Sequence, residues 1–271
     1  MTATKRPSAR HRASNGADRH GRDAETGITL SEEAGVRYLH FGSPWVQGAM
    51  RIARPYALEI DYVRDMMAWL LFLAPPARIL QLGLGAAALT KYCWRRFPGS
   101  QVTAVERSAA VIASARRDFG MPPDDERLRV VRADAGELVA RRSVLGRYGV
   151  VQVDLYDRRA RGPVLDSVAF YRHCRQALAG SGVLVVNLFG EHESTLRSER
   201  HLAQVFDGRV LALPPVPAGN VVVLAFKGPP LRVAWPALLR RARELERMQL
   251  PARAWLDALR GRQGRFADFA I

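Results

Sequence analysis

The run Arg78-Ile79-Leu80-Gln81-Leu82-Gly83-Leu84-Gly85-Ala86-Ala87-Ala88, continuing to Val102-Thr103-Ala104-Val105-Glu106, restricts the fold more than any other part of the chain. A short apolar run opens into closely spaced glycines, small residues lead into a helix-compatible segment, and a β-branched run stops at an acid. That order describes a strand, a tight turn, a helix and a parallel strand, as in a nucleoside-binding unit. Gly83 and Gly85 permit unusual φ and a close approach of the backbone to a ligand. Ala86, Ala87 and Ala88 let the helix start pack near the sheet, and Glu106 can accept both hydroxyl hydrogens of a ribose. A lone Gly-x-Gly also fits ordinary helix–strand packing, but an acid about twenty residues later favours a nucleoside site. Ala88 stands where a dinucleotide fingerprint has its third glycine, so a mononucleoside fits better than NAD.

The alternation continues from there. Strands are expected near 79–82, 101–105, 128–132, 149–154, 182–188, 209–213 and 221–226, with helices near 87–97, 109–119, 135–142, 166–179 and 194–206. Seven strands, largely parallel and covered by helices on both faces, put ligands at the strands' carboxyl ends. Upstream, Ile28–Leu30, Val36–Phe41 and Trp45–Gln47 read as a small antiparallel unit. Leu58, Tyr62, Met66, Trp69, Leu70 and Leu73 then carry a helical period over 56–73. Beyond 228 the chain turns helical. Trp235, Leu238, Leu239, Ala242, Leu245 and Met248 share one face, for packing on the sheet domain, a second subunit or a membrane surface. The expected organisation is a disordered basic tail (1–26), a small β domain (27–54), a nucleoside-binding α/β domain (55–227) and a helical extension (228–271).

The net charge of +15 raises nucleic-acid binding as an alternative, yet lysine occurs only at positions 5, 91 and 227. The remaining charge is arginine spread from end to end, without an aromatic-interleaved basic block, so no nucleic-acid partner is expected. Cys93 and Cys174 make neither a disulfide framework nor a metal site. The apolar run 66–74 is too short to span a bilayer, and residues 1–25 lack the apolar core of a secretory signal. A cytoplasmic protein without metal or prosthetic group is expected.

Acids recur where successive strands should end. Glu106 closes the second, Asp134 follows the third, and Asp154 ends the fourth with Asp157 three residues on. Asp134 can accept from an adenine amino group or cap the helix that follows. Asp154 and Asp157 would line the mouth of the site, where paired carboxylates suit a cationic substrate or general-base work.

These motifs, with Gly162-Pro163, Phe170-Tyr171 and the upstream Trp45-Val46-Gln47-Gly48-Ala49-Met50 segment, resemble the spermidine synthase (polyamine aminopropyltransferase) family over about residues 28–227. The resemblance implies a seven-strand methyltransferase-like Rossmann fold preceded by a small N-terminal β domain. It also implies that decarboxylated S-adenosylmethionine is the co-substrate, held by Gly83, Gly85, Glu106, Asp134 and Gln47. Asp154 would take the proton of the attacking amine. Asp157 would anchor the acceptor's cationic part, Tyr62 would lie on the helix beside the substrate, and a homodimer acting on a polyamine such as putrescine is expected.

The chain also departs from that pattern. Ala86 replaces the acid that would grip the donor's amino group, and Val63 replaces a polar residue after Tyr62. Val216-Pro217-Ala218-Gly219 lacks the family's acceptor-contacting tyrosine, and Arg158, Arg159 and Arg161 follow Asp157. The donor half is retained and the acceptor half altered. Aminopropyl transfer, methyl transfer from intact S-adenosylmethionine and a catalytically silent relative all remain compatible with these residues.

Overall fold

The computed structural model describes residues 22–23, 27–42, 45–156, 164–189, 192–263 and 268–271. The N-terminal unit is a four-stranded antiparallel sheet of β1 (Arg22–Asp23), β2 (Ile28–Glu33), β3 (Val36–His40) and β4 (Gly48–Arg51). Two expectations change here. Arg22–Asp23, within the segment expected to stay unstructured, pairs with Ile28 and Thr29, because an open strand edge recruits backbone whatever its side chains. β4, the third of the expected strands, begins at Gly48, after the run Trp45–Gln47, whose Trp45 and Val46 are exposed.

The single helix expected over 56–73 is broken. It consists of α1 (Asp61–Asp65) and a separate 3-10 turn, Ala68–Leu71. The cause is a side chain inserted into the ladder, as sharp helix breaks require. Gln152 Nε2 donates to the Met66 carbonyl at 3.0 Å, and Met67 N–H turns back to Arg64 O. Met66, Met67, Ala68, Trp69, Leu70 and Leu71 are all buried, so tertiary packing rather than helical periodicity shapes this segment.

The main sheet follows in regular alternation. Its elements are β5 (Arg78–Leu82), α2 (Ala88–Arg96), β6 (Gln101–Glu106), α3 (Ala109–Arg117), β7 (Leu128–Arg132), α4 (Ala135–Val139), β8 (Tyr148–Val153), α5 (Val168–Ala177), β9 (Leu178–Leu188), α6 (His192–Val205), β10 (Val210–Ala212) and β11 (Val221–Lys227). The strand order is β10-β11-β9-β8-β5-β6-β7. The five strands from β9 to β7 run parallel, and β11 and β10 close the sheet antiparallel. The order reverses between β5 and β8, and the crevice at the carboxyl ends of such a pair is where open α/β sheets bind ligands. The helix expected over 135–142 ends at Val139, with a 3-10 turn at Arg142–Val144.

Successive strand residues serve opposite faces. Ile79, Val150 and Leu224 join a core with Trp69 and Phe97, while Leu80, Val151 and Val223 join a second core with Phe170 and Phe206. Near-continuous apolar strands of this kind belong to sheets covered on both sides.

The extension adds β12 (Arg232–Ala234), α7 (Trp235–Arg247), α8 (Ala252–Gln263) and β13 (Asp268–Ala270), with β12 and β13 paired antiparallel. Leu238, Ala242, Leu245, Trp255, Leu256 and Leu259 enter the Trp69 core. The amphipathic faces therefore pack on the sheet domain of their own chain. Among the described residues no helix is long and apolar enough to cross a membrane.

Trp255 anchors this docking. Its indole N–H donates to Asp65 Oδ1 at 2.7 Å in a buried contact. Burial raises the Asp65 carboxyl above its ordinary range, and the indole bond opposes that rise. A carboxyl raised on folding favours the folded state at low pH and loses that contribution as pH rises through its folded pKa. Trp255→Phe, which removes the donor together with the pyrrole part of a buried ring, is expected to cost about 1.5–3 kcal/mol at neutral pH. The loss should shrink as Asp65 becomes protonated, and urea melts at pH 7 and pH 4.5 measure both values.

Candidate active site

The site is built where the chain leaves β5 and β8. Asp154 N–H continues the ladder to Leu82 O at 2.9 Å, and Gly83 N–H bonds Val105 O at 2.9 Å. The two loops then cross at contact distance. A Cβ on Gly83, whose φ is +97°, would stand 2.1 Å from the Asp154 carbonyl oxygen. No other residue fits there. Gly85 at φ +50° would place a Cβ 3.3 Å from Gln47 O, so the glycine loop passes beneath the segment leading into β4. A Cβ on Gly48 would lie 2.7 Å from that of Ala86. The N-terminal sheet thus closes over the loop only because both residues are small.

Glu106 stands at the end of β6. Its Oε2 accepts from Leu84 N–H at 3.3 Å and its Oε1 from Ser108 N–H at 2.8 Å. One carboxylate thereby fixes the glycine loop and the start of α3, with lone pairs left for further donors. Asp134 is the N-cap of α4 and accepts from Glu137 N–H at 3.1 Å. Of the two roles its position allows, the capping contact is the one present.

Gln47, Gly48, Tyr62, Val63, Gly83, Gly85, Ala86, Thr90 and Asp154 are among the residues lining one crevice. Gln47 Nε2 is buried there without a hydrogen-bond partner among the described residues, and an unpaired buried donor calls for a ligand or water. Room for water-sized molecules in the crevice amounts to about 20 Å³, against hundreds for a ligand pocket.

Asp154 sits at the base of this crevice. Asn187 Nδ2 donates to its Oδ1 at 2.9 Å, and the Tyr62 hydroxyl lies 3.4 Å from its Oδ2. Burial raises its carboxyl to about 6, and the bonds from Asn187 and Tyr62 only partly offset that rise. Burial and the nearby Asp154 charge hold the Tyr62 hydroxyl well above its ordinary range. Such a carboxyl is half-ionised near pH 6 and is suited to receiving a proton at neutral pH. Asp157, with Arg158, Arg159, Arg161, Gly162 and Pro163, lies outside the described residues.

Part of the site lies outside the residues that the motifs mark. Asn187 and Asn220 are buried, and Asn220 Nδ2 donates to Asn187 Oδ1 at 3.0 Å behind Asp154. Their signal was available: Asn187 interrupts the apolar run Val183–Leu188, and Asn220 directly precedes the apolar run Val221–Phe226. An aromatic row lies outside them as well. Trp45 and Tyr156 each meet Phe189 edge-on, at 6.1 and 6.3 Å between ring centroids. Gly219 lies under Phe189, a Cβ there falling 3.6 Å from the ring. No group of three or more His, Cys, Asp or Glu able to hold a metal occurs among the described residues.

A glycine loop against an acid at the end of β6, with a second acid at the end of β8, is the ligand-binding edge of a Rossmann-like sheet. No family model matches the chain. Curated relatives are specific: the polyamine aminopropyltransferase of Neisseria meningitidis serogroup B is 36% identical over 219 residues, 80% of this chain and 82% of that one. The Chromobacterium violaceum polyamine aminopropyltransferase is 34% identical over 81% of this chain and 83% of its own. Among solved structures, a probable spermidine synthase from Corynebacterium glutamicum superposes with a TM-score of 0.63 at 22% identity, covering 79% of this chain and 80% of that one. The chain belongs to the polyamine aminopropyltransferase family. Its seven-strand methyltransferase-like fold behind a small antiparallel sheet is the fold the sequence implied.

Gly83→Ala is expected to drive Asp154 away from β5. The left-handed φ costs about 1–2 kcal/mol and the overlap about 1–3 kcal/mol more. Chemical denaturation should therefore register a loss of roughly 2–5 kcal/mol, against a negligible change for Ala at Gly99, which has open space around it.

Proposed function

We propose that this chain transfers an aminopropyl group from decarboxylated S-adenosylmethionine to an amine acceptor such as putrescine. Asp154 carries the proposal. It is a part-buried carboxylate at the switch point, raised to about 6 and without a cationic partner among the described residues. An amine reaches neutral solution as an ammonium, which cannot attack carbon. Asp154 takes the ammonium proton, the freed nitrogen pair attacks the propyl carbon bonded to the sulfonium, and the C–S bond breaks. Its electron pair returns to sulfur, leaving neutral methylthioadenosine and a protonated carboxyl. In-line placement of nitrogen and sulfonium contributes the rest of the acceleration.

Glu106 holds the ribose, Gly83 and Gly85 admit the nucleoside backbone, and Gln47 supplies its unpaired amide to the donor. Asp134 adds an acceptor toward the adenine while capping α4. Tyr62 and Asp157 flank the acceptor, and the row Trp45–Phe189–Tyr156 gives it an apolar and cation-tolerant wall beside the turn that lacks the family's tyrosine. Ala86 supports a second donor. Without an acid at that position one carboxylate that would repel an intact methionine carboxyl is gone, so S-adenosylmethionine and methyl transfer are the competing chemistry. The same proposal extends to a cytoplasmic homodimer without nucleic acid; light scattering should report about twice the chain mass of 30.1 kDa.

Release of methylthioadenosine from decarboxylated S-adenosylmethionine, with putrescine, cadaverine and spermidine as acceptors, tests the reaction. Asp154→Asn should lower turnover by about 10²–10⁴-fold and leave methylthioadenosine affinity nearly unchanged. Equal turnover in both proteins would remove the base role, and methylated product from S-adenosylmethionine alone would establish the competing chemistry. In the wild type, kcat/KM should fall about tenfold per pH unit below pH 6, because protonation removes the base, and level off above it.

Glu106→Ala should weaken methylthioadenosine binding by roughly 1.5–3 kcal/mol by leaving ribose hydroxyls unpaired. Calorimetry giving wild-type affinity in that variant would take Glu106 out of the donor site.

A further inference from the structure

We infer that Asn187 and Asn220 are positioning residues that hold Asp154 in one orientation and reserve its Oδ2 for the proton of the acceptor amine. This rests on the proposed base role of Asp154 and deepens it to a single atom.

The two amides form a directed chain. Asn220 Nδ2 donates to Asn187 Oδ1 at 3.0 Å, and Asn187 Nδ2 donates to Asp154 Oδ1 at 2.9 Å. Turning the Asn187 amide over would set its oxygen against the carboxylate and its NH₂ against that of Asn220. Both contacts would become repulsive, so Asn220 fixes which end of Asn187 faces the acid. Asn187 is 2% and Asn220 7% exposed, so water does not compete for these bonds, and either amide left unpaired would be costly. The Asn187 backbone is tied as well, since Tyr156 Oη donates to its carbonyl at 2.8 Å.

Asp154 Oδ1 therefore meets an N–H in every protonation state. A proton placed on Oδ1 would face that N–H head-on, so the neutral acid carries its proton on Oδ2. Oδ2 faces the hydroxyl of Tyr62, which lines the crevice with Asp154, at 3.4 Å. That contact is long for an O–H···O bond and is readily displaced by an ammonium. Among the described residues the titratable groups acting on Asp154 are Tyr62 and Tyr156. Both are neutral across the working range, since each hydroxyl is pushed well above its ordinary value.

Carboxyl carbon-13 NMR of Asp154, assigned with Asp154→Asn, tests this without needing turnover. Asn187→Leu removes the donor to the charged form, so Asp154 should titrate about one unit higher. Asn220→Leu should produce a smaller shift of the same sign by freeing the Asn187 amide to turn. The acid limb of kcat/KM should move upward with each titration. At pH 7, kcat should fall more than the acceptor KM changes, and methylthioadenosine affinity should hold. A titration unchanged in both variants overturns the inference, as does a pH limb that stays fixed while the titration moves. Should Asn187→Leu fail to fold, Asn220→Leu carries the same readouts from one contact further away. Full turnover by Asp154→Asn would sink the base reading itself, and it is read from a different variant and assay than the titration.

Discussion

The architecture depends on one close approach. β5 and β8 diverge into their loops with Gly83 pressed against the Asp154 carbonyl, where a Cβ would come within 2.1 Å. That contact sets the donor loop and the acid side by side. In the proposed reaction a nucleoside over Gly83 and Gly85 would lie beside Asp154 because no side chain separates the two backbones. The remaining parts of the site fit around this crossing. Glu106 ties the glycine loop to β6, and Gln47 closes over it from the N-terminal sheet.

Behind the crossing lies a buried polar rung that an apolar sheet would not need for packing alone. Thr90 donates to Gln81 at 2.6 Å, Gln81 to Gln152 at 2.9 Å, and Gln152 to the Met66 carbonyl at 3.0 Å. Each amide is satisfied, so the rung is not a liability. It locks α2, β5 and β8 in register and ends α1 one residue beyond Asp65. Tyr62 is therefore held on a short helix whose far end is pinned to the same strand that carries Asp154. The break in the helix is part of how the tyrosine is positioned.

Much of this was legible from the chain. Strand–helix alternation, glycine spacing and acids at strand ends depend on local residue pattern, and the seven strands follow them closely. What escaped were features fixed by tertiary partners. The Met66 break comes from Gln152, 86 residues away, and no periodicity in 56–73 encodes it. Arg22–Asp23 forms a strand because a sheet edge is present, not because of its side chains. Asn187 and Asn220 are visible as polar interruptions of apolar strands, but their meeting depends on β9 and β11 lying side by side. The two roles open to Asp134 also show the limit of pattern: capping is a local contact and is present, whereas an adenine contact depends on a ligand.

The electrostatics of Asp154 give the site its direction. Raising a carboxyl from 3.8 to about 6 corresponds to roughly 3 kcal/mol of destabilisation of the folded protein at neutral pH. The protein could relieve this with a neighbouring arginine, and 38 of its 41 basic residues are arginines. None acts on Asp154 among the described residues; its offsets are the neutral donors Asn187 and Tyr62. A permanent guanidinium would lower the carboxyl and remove its capacity to hold a proton. Neutral amides stabilise the charge less, and so leave the acid able both to attract a cationic amine and to keep the proton that amine gives up. In the proposed reaction an arriving ammonium supplies the charge partner that the described residues do not, so the interaction that binds the acceptor would also prepare it to react.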